Sequence, residues 1–531
     1  MNTTTRTVTK AAGIMMAAIF LSRILGLVRE MVIANQFGGG GIVDAYRMAF
    51  VLPDTLYFML SSGALSSAFI PVFTEYWTKG EKEEAWKVFS IVGTFVFVVL
   101  GSAIVLLEIF AKWIVPSVIA LGFAREHPEL LPITITMTRI ILPAQMFFFL
   151  GGLMIATLYA RQHFVAPALG PIIYNIFIIG GGILLAKALG VRSLIWGALV
   201  GAFLGNFVLQ AVVIRKMGVQ FKPSLHLRHP GVVKVGKLAL PVILGLSLPY
   251  FDVNINAWFA AFLSKGAVAA LGYANRLMQV PIGVFAQAAA VALFPTLAAQ
   301  AARREIGELR SSVNFGLRGI LLLTVPSSVL MIILARPIVT ALFQHGEFTA
   351  DATTATTSAL VFYSIGIAGW AGQAIVCRAF YALQEVLVPV LAGTAVTLIF
   401  IPMNWLLMKP LDHGGLALAT SIAVVLYMMV LLEFLRRRLG GINGSLIVKS
   451  FTKVLIASGV MGLVAWFALG MISSRFPVTG TAHAIIVVLG SSIPAVLAYA
   501  GMIALLKVDE ATEVWKLVSR RLKRTPAPAS E

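Results

Sequence analysis

Fourteen apolar runs follow one another along this chain, at about 11–33, 44–73, 85–111, 131–158, 164–186, 192–214, 238–263, 267–299, 316–342, 352–382, 387–408, 414–435, 450–470 and 481–506. Each is near or above the roughly 20 residues an α-helix needs to cross a bilayer. So much apolar surface has no interior large enough to hide in, and it must face lipid. Of 531 residues, 59% are hydrophobic and only 12% charged, against about 25% charged in a typical soluble domain. The runs are much longer than barrel strands and lack period-two alternation, which excludes a transmembrane β-barrel. The pattern therefore predicts an all-α polytopic membrane protein of about 14 transmembrane helices. Arg23, Arg29 and Glu30 interrupt the first run and no small-residue cleavage site follows it, so it is expected to stay in place and not to act as a cleaved leader.

Lys and Arg resist translocation, so their distribution over the loops orients the spans. An even number of spans puts both termini on one side, where 27 basic loop residues fall, against eight on the other. Both termini are thus expected to be cytoplasmic. The same placement accounts for the formal net charge of +19 without nucleic acid. The tail EVWKLVSRRLKR at 513–524 reads as a basic amphipathic helix suited to anionic headgroups. With Cys377 as the sole cysteine, no intrachain disulfide, Cys-rich zinc site or c-type haem attachment is possible. No GxxxxGK[ST] or HExxH motif is present, and the seven histidines fall in or near loops. No cofactor and no enzymatic chemistry are expected, which leaves transport by conformational alternation. No motif specifies a coupling ion or use of the membrane potential.

An internal repeat organises the chain. YARQHFVAP at 159–167 aligns without gaps with YALQEVLVP at 381–389, 222 residues on. DAYRMAFVLP at 44–53 and GALVGA at 197–202 find weaker matches in YANRLMQVP at 273–281 and GLALAT at 415–420. Six spans separate equivalents, so the halves share one orientation, as in parallel-repeat transporters. The expected division is an N-terminal lobe at 1–218, a C-terminal lobe at 219–440, a peripheral helix pair at 441–508 and a basic cytoplasmic tail at 509–531. A central cleft between like-oriented lobes is the expected substrate site.

Six basic residues remain inside spans: Arg23, Arg29, Arg47, Arg139, Arg276 and Arg378. Each costs roughly 2.5 to 3.5 kcal/mol at a helix centre, so a cavity, partner or interface is expected around it. Arg23 and Glu30 are seven apart and share a face, with Arg29 about 120° round the helix unless Gly26 bends it. The second span opens with Asp44 and Arg47, and its equivalent, the eighth, carries Asn275, Arg276 and Gln279. The intramembrane acids are fewer, chiefly Glu30, Asp44, Asp54, Glu108 and Asp252. A net positive cleft selects an anion, because guanidinium forks match phosphate oxygens bidentately and a low dielectric strengthens the attraction. A drug-cation antiporter would need the opposite balance. Gly38–Gly41 is a candidate flexible point.

SRILGLVRE at 22–30, VDAY at 43–46 and LPDTLYFMLSSGALSSAFIPVFTEY at 52–76 resemble the amino-terminal signature of the MurJ (MviN) lipid II flippases. ANRLMQVPIGVF at 274–285 and RAFYALQEVLVPV at 378–390 resemble the second half of that family, so the likeness extends over about the first twelve spans. It implies the multidrug/oligosaccharidyl-lipid/polysaccharide exporter fold and an undecaprenyl-pyrophosphate-linked disaccharide-pentapeptide as cargo for peptidoglycan synthesis, moved across the bacterial inner membrane. By the same resemblance Arg23, Arg29 and Arg276 contact the headgroup, and Glu30 and Asp44 pair with arginines during gating; Arg47 is the further charge-pairing candidate, expected to compensate in part for the arginine that relatives carry at Tyr57. Many relatives carry arginine where this chain has Tyr57, and acidic residues where it has Asn275 and Gln279. Some relatives bind sodium between the seventh, eleventh and twelfth spans. Asn256, Asn404 and Thr420 are the nearest candidates here and include no carboxylate. Membrane lipids and cell-wall synthesis proteins are the further partners implied. A flippase for another polyprenyl-pyrophosphate-linked glycan and a non-transporting membrane scaffold are the alternatives.

Overall fold

The computed structural model describes residues 3–61, 64–247, 251–478 and 480–511. These residues are helical almost throughout, with no strand among those described. Nine described helices are long and apolar enough to cross a membrane, or up to ten if Ala350–Ile365 and Ile367–Ala382, bent by 43°, form one span. One of the nine, Leu387–Arg438, is two helices meeting at Asp412, whose φ of 52° and ψ of −139° break the ladder. That stretch therefore accommodates two of the expected runs. The amphipathic tail at 513–524 lies outside the described residues.

The chain divides into two compact units. The first comprises Met1–Ala269 with Gly346–Ala352, the second Ala270–His345 with Thr353–Glu531. In the first, α1 (Thr3–Phe37) runs without proline and ends on the left-handed Gly38, whose N–H returns to the Ala34 carbonyl. It packs against helix Val165–Leu184, which packs in turn against Arg192–Gly201. That second contact is close because Gly197, Gly201 and Gly205 stand four residues apart: a Cβ on Gly197 would lie 2.4 Å from the Phe177 carbonyl oxygen. Small residues at this spacing let helix backbones touch where lipid offers no hydrophobic drive. They hold Val165–Leu184 in place beside α1.

Helices α2 (Gly41–Ser61), α3 (Ala64–Thr78) and α4 (Lys82–Ile114) complete the front of this unit. Phe69, Phe73, Trp86 and Phe89 form a buried aromatic cluster between α3 and α4. The segment 217–229 is tied along α4 by its polar residues. Ser90 Oγ donates to the Gln220 carbonyl (3.2 Å) and accepts from the Lys222 N–H (3.1 Å), and the Ser224 N–H donates to Thr94 Oγ1 (3.2 Å). His229 Nε2 lies 2.8 Å from Glu84, and Lys234 Nζ lies 2.5 Å from Glu75. Hydrogen bonds and charge from Lys234 and Lys79 hold the Glu75 carboxyl down at about 2.

In the second unit, Leu321, Leu322 and Val325 pack with Val454, Ala457, Ile503 and Val508. The helices Gly444–Arg475 and Thr481–Leu505 lie against each other, the former also against Ile306–Ile333. The buried Glu510 pairs with Arg318 just beyond the last helix.

The repeat is visible in the backbone of each unit. Gln162 and Gln384, 222 residues apart, are both left-handed (φ 59° and 62°). In both places the following N–H reaches five residues back, His163 to Leu158 and Glu385 to Phe380. A second turn recurs at Gly80 and Arg304, where Glu81 bonds to Tyr76 and Glu305 to Gln300. These are the same helix-ending motif, formed in one case by glycine and in the other by arginine.

Candidate functional site

Glu30 sits in the C-terminal third of α1, 1% exposed, where an unpaired carboxylate would be costly. Two guanidinium groups satisfy it. Arg29 Nη2 donates to Oε1 at 2.9 Å, and Arg47 Nη2, from α2, donates to Oε2 at 2.7 Å. Adjacent residues on a helix point about 100° apart, so Arg29 meets Glu30 only through the length of its side chain, while Arg47 arrives from the neighbouring helix. The Nη1 of Arg29 donates to Asn175 Oδ1 at 3.2 Å. Arg29 Nε is buried with no hydrogen-bond partner among the described residues. Arg29 and Arg47 thus converge on one buried carboxylate.

The second buried carboxylate, Asp44 (1% exposed), is satisfied differently. Its oxygens accept the backbone N–H groups of Gly266 (2.5 Å) and Ala269 (2.7 Å), at the start of helix Ala267–Pro281. Its hydrogen bonds go to a helix N-terminus, where exposed N–H groups and the dipole favour an anion. Beside it, Gly38 and Gly39 pack closely against Glu347 and Phe348, while Gly40 stands open. The Glu347 N–H donates to the Asn35 carbonyl at 3.0 Å. Gly346, at φ 61°, comes so near α1 that a Cβ there would lie 2.1 Å from Asn35 Oδ1. Phe348 is buried, 3% exposed, in contact range of Gly39. The segment Gly346–Ala352 thus belongs to the first unit although its flanking helices belong to the second.

Of the other expected site residues, Arg23 is exposed and makes no hydrogen bond or ion pair among the described residues. The structure does not bring it into the Glu30 cluster. Arg276 is exposed within the second unit. Tyr57 packs edge-on against Phe148 and Phe149, with ring centroids 5.8 and 6.1 Å away. Asn256 is buried in the first unit, and Asn404 and Thr420 lie in the second. Thr420 Oγ1 donates to the Leu416 carbonyl at 2.9 Å. These three bring no negative charge, and the described residues contain no group of three or more His, Cys, Asp or Glu able to hold a metal. Asn175 was not singled out by the sequence. Its signal was an amide inside an apolar span, PIIYNIF, with nothing in the linear order to tie it to Arg29.

A model of the family described as lipid II flippase MurJ matches residues 33–487. The chain belongs to the MurJ family. The lipid II flippase MurJ of Burkholderia cenocepacia is 30% identical over 428 residues, which covers 79% of this chain and 82% of that relative. A probable lipid II flippase MurJ of Synechocystis sp. is 26% identical over 98% of both chains. Among solved structures, lipid II flippase MurJ in an inward closed conformation superposes with a TM-score of 0.78 at 26% identity, covering 93% of this chain and 99% of that one. An inward-facing multidrug MATE transporter of the MOP superfamily shares the fold, with a TM-score of 0.64 at 16% identity over 79% of this chain and 94% of its own. The chain is accordingly an all-helical, multi-pass membrane transporter of the MurJ family and not an enzyme.

Proposed function

We propose that this MurJ family member moves lipid II from the cytoplasmic to the outer leaflet of the bacterial inner membrane by alternating access, with both termini cytoplasmic. The observation that carries the site assignment is the Arg29–Glu30–Arg47 cluster, two guanidinium groups on one buried carboxylate with Arg29 Nε left over. A buried donor without a partner calls for an explanation. A pyrophosphate supplies one, since its oxygens accept from guanidinium N–H groups. Arg23 and Arg276, both exposed, are the further proposed headgroup contacts. The prenyl tail has no use for such a surroundings and stays in lipid while the polar headgroup crosses. Cell-wall synthesis proteins are proposed as downstream partners on the strength of the cargo. The ratio of 27 to eight basic loop residues supports the cytoplasmic termini.

The test is outer-leaflet appearance of lipid II in a bacterium depleted of its own flippase, comparing the wild type with Arg23→Ala, Arg29→Ala and Arg276→Ala at matched expression. Restored flipping by the wild type and failure of Arg29→Ala is the expected result. An abundant, folded wild type that moves no lipid II overturns the cargo assignment and points to another polyprenyl-pyrophosphate-linked glycan.

A further inference from the structure

Arg29 can serve an incoming anion only if its guanidinium plane is held while the anion is absent. Glu30 holds one end of it, through Nη2 at 2.9 Å. A single contact leaves the plane free to rotate about that bond. The second contact comes from Asn175 on helix Val165–Leu184, whose Oδ1 accepts from Nη1 at 3.2 Å. The orientation of the Asn175 amide is itself fixed, because Nδ2 donates to the Pro171 carbonyl one turn back at 2.9 Å and points toward the Ser22 carbonyl at 3.5 Å. Flipping the amide would set Nδ2 against the guanidinium donors and Oδ1 against carbonyl oxygens, so this network admits one arrangement. Asn175 is 6% exposed, and the glycine stripe of the next helix keeps its own helix in place.

We propose that Asn175 is a positioning residue for headgroup recognition: a neutral acceptor that fixes the plane of Arg29 without cancelling its charge, so that the guanidinium keeps both its orientation and its positive charge for a diphosphate-type anion. The inference rests on the reading of Arg29 as a headgroup-binding arginine. The choice of amide over carboxylate is the informative part. An aspartate here would hold Arg29 at least as firmly and would hydrogen-bond more strongly, yet it would set a second negative charge directly on the Arg29 guanidinium and weaken its attraction for an incoming anion. A residue kept only for structure would tolerate that exchange.

The test measures lipid II binding to the full chain in detergent, with thermal unfolding recorded on the same samples, for the wild type, Asn175→Ala, Asn175→Asp and Arg29→Ala. Asn175→Ala is expected to weaken binding about three- to tenfold, the range of one lost neutral-acceptor hydrogen bond. Asn175→Asp is expected to weaken it by more than Asn175→Ala while unfolding at or above the wild-type temperature. Wild-type affinity in Asn175→Asp, or affinity losses that simply follow falling stability across both Asn175 variants, overturns the positioning role. If Arg29→Ala loses affinity while both Asn175 variants keep it, the positioning role alone fails. If Arg29→Ala binds as the wild type does, the underlying assignment of Arg29 fails and the positioning role with it.

Discussion

Glu30 and Asp44 are equally buried carboxylates on consecutive helices, and they are satisfied by opposite means. Glu30 is held by side chains, Arg29 and Arg47, which are long, charged and able to turn toward another anion. Asp44 is held by the backbone of Gly266 and Ala269, donors that leave only if the helix they begin moves away. A side-chain-held carboxylate suits a place where partners are exchanged, and a backbone-held one suits a place where two elements either meet or part. The difference sets Glu30, beside the proposed headgroup arginine, apart from Asp44, which ties α2 to the start of helix Ala267–Pro281.

The sharpest way to break this distinction is Glu30→Gln. Removing the charge leaves two guanidinium groups facing a neutral amide, and loss of one partner from a buried pair costs roughly 3 to 5 kcal/mol. The variant is expected to melt well below the wild type and to support no lipid II flipping in depleted cells. Near-wild-type melting would mean that Arg29 and Arg47 do not depend on that carboxylate. Asp44→Asn comes next. It retains one acceptor and loses the charge on two hydrogen bonds, at a cost of about 1.5 to 3 kcal/mol, with lipid II affinity in detergent unchanged because Arg29 is untouched. An affinity loss as large as that of Arg29→Ala would merge the two carboxylates into one function.

Gly346→Val tests the same junction through shape. A Cβ 2.1 Å from Asn35 Oδ1, on a backbone at φ 61°, forces Gly346–Ala352 off the first unit. The strain is on the order of 1 to 3 kcal/mol, read as a lowered melting temperature in which Gly346→Ala suffers less than Val. The smallest effect is expected at the Lys234–Glu75 pair, just after the segment 217–229. Lys234→Met should leave the melting temperature at neutral pH within error, since solvent screens exposed pairs. Its signature lies in acid. The Glu75 carboxyl is lowered from 4.5 to about 2, so its contribution is present above the ordinary carboxylate range and lost as pH falls toward 2. An acid titration of melting temperature should show a shallower decline through that window in Lys234→Met than in the wild type.

The helical class was legible from run length alone, because only helices satisfy the backbone in lipid over so many residues. The repeat was legible from YARQHFVAP and YALQEVLVP, and the structure shows why those residues recur: they build the same left-handed turn at Gln162 and Gln384. The pairing of Glu30 with arginines was foreshadowed by the cost of charge inside a span. What the sequence did not disclose depends on contacts between distant residues. Arg23 and Glu30 share a helical face by spacing, yet one is exposed and the other buried, since burial is decided by which neighbour covers each turn. Asp44 carries nothing in its surroundings to say that its partners are backbone amides 222 and 225 residues away. Tyr57, a departure from the family pattern, turned out to be one ring in an aromatic cluster.

The membership of Gly346–Ala352 in the first unit has a consequence for anyone cutting the gene. A break between Ala269 and Ala270 looks like the natural place to express the protein as two polypeptides, since the contact boundary lies there. The amino-terminal fragment made that way would lack seven residues of its own fold, with the seat of Phe348 beside Gly39 left empty and the Asn35 carbonyl without its donor. Reassembly from halves would then depend on a short piece carried by the other polypeptide finding that seat, a requirement that a break in the segment 217–229 would leave in place.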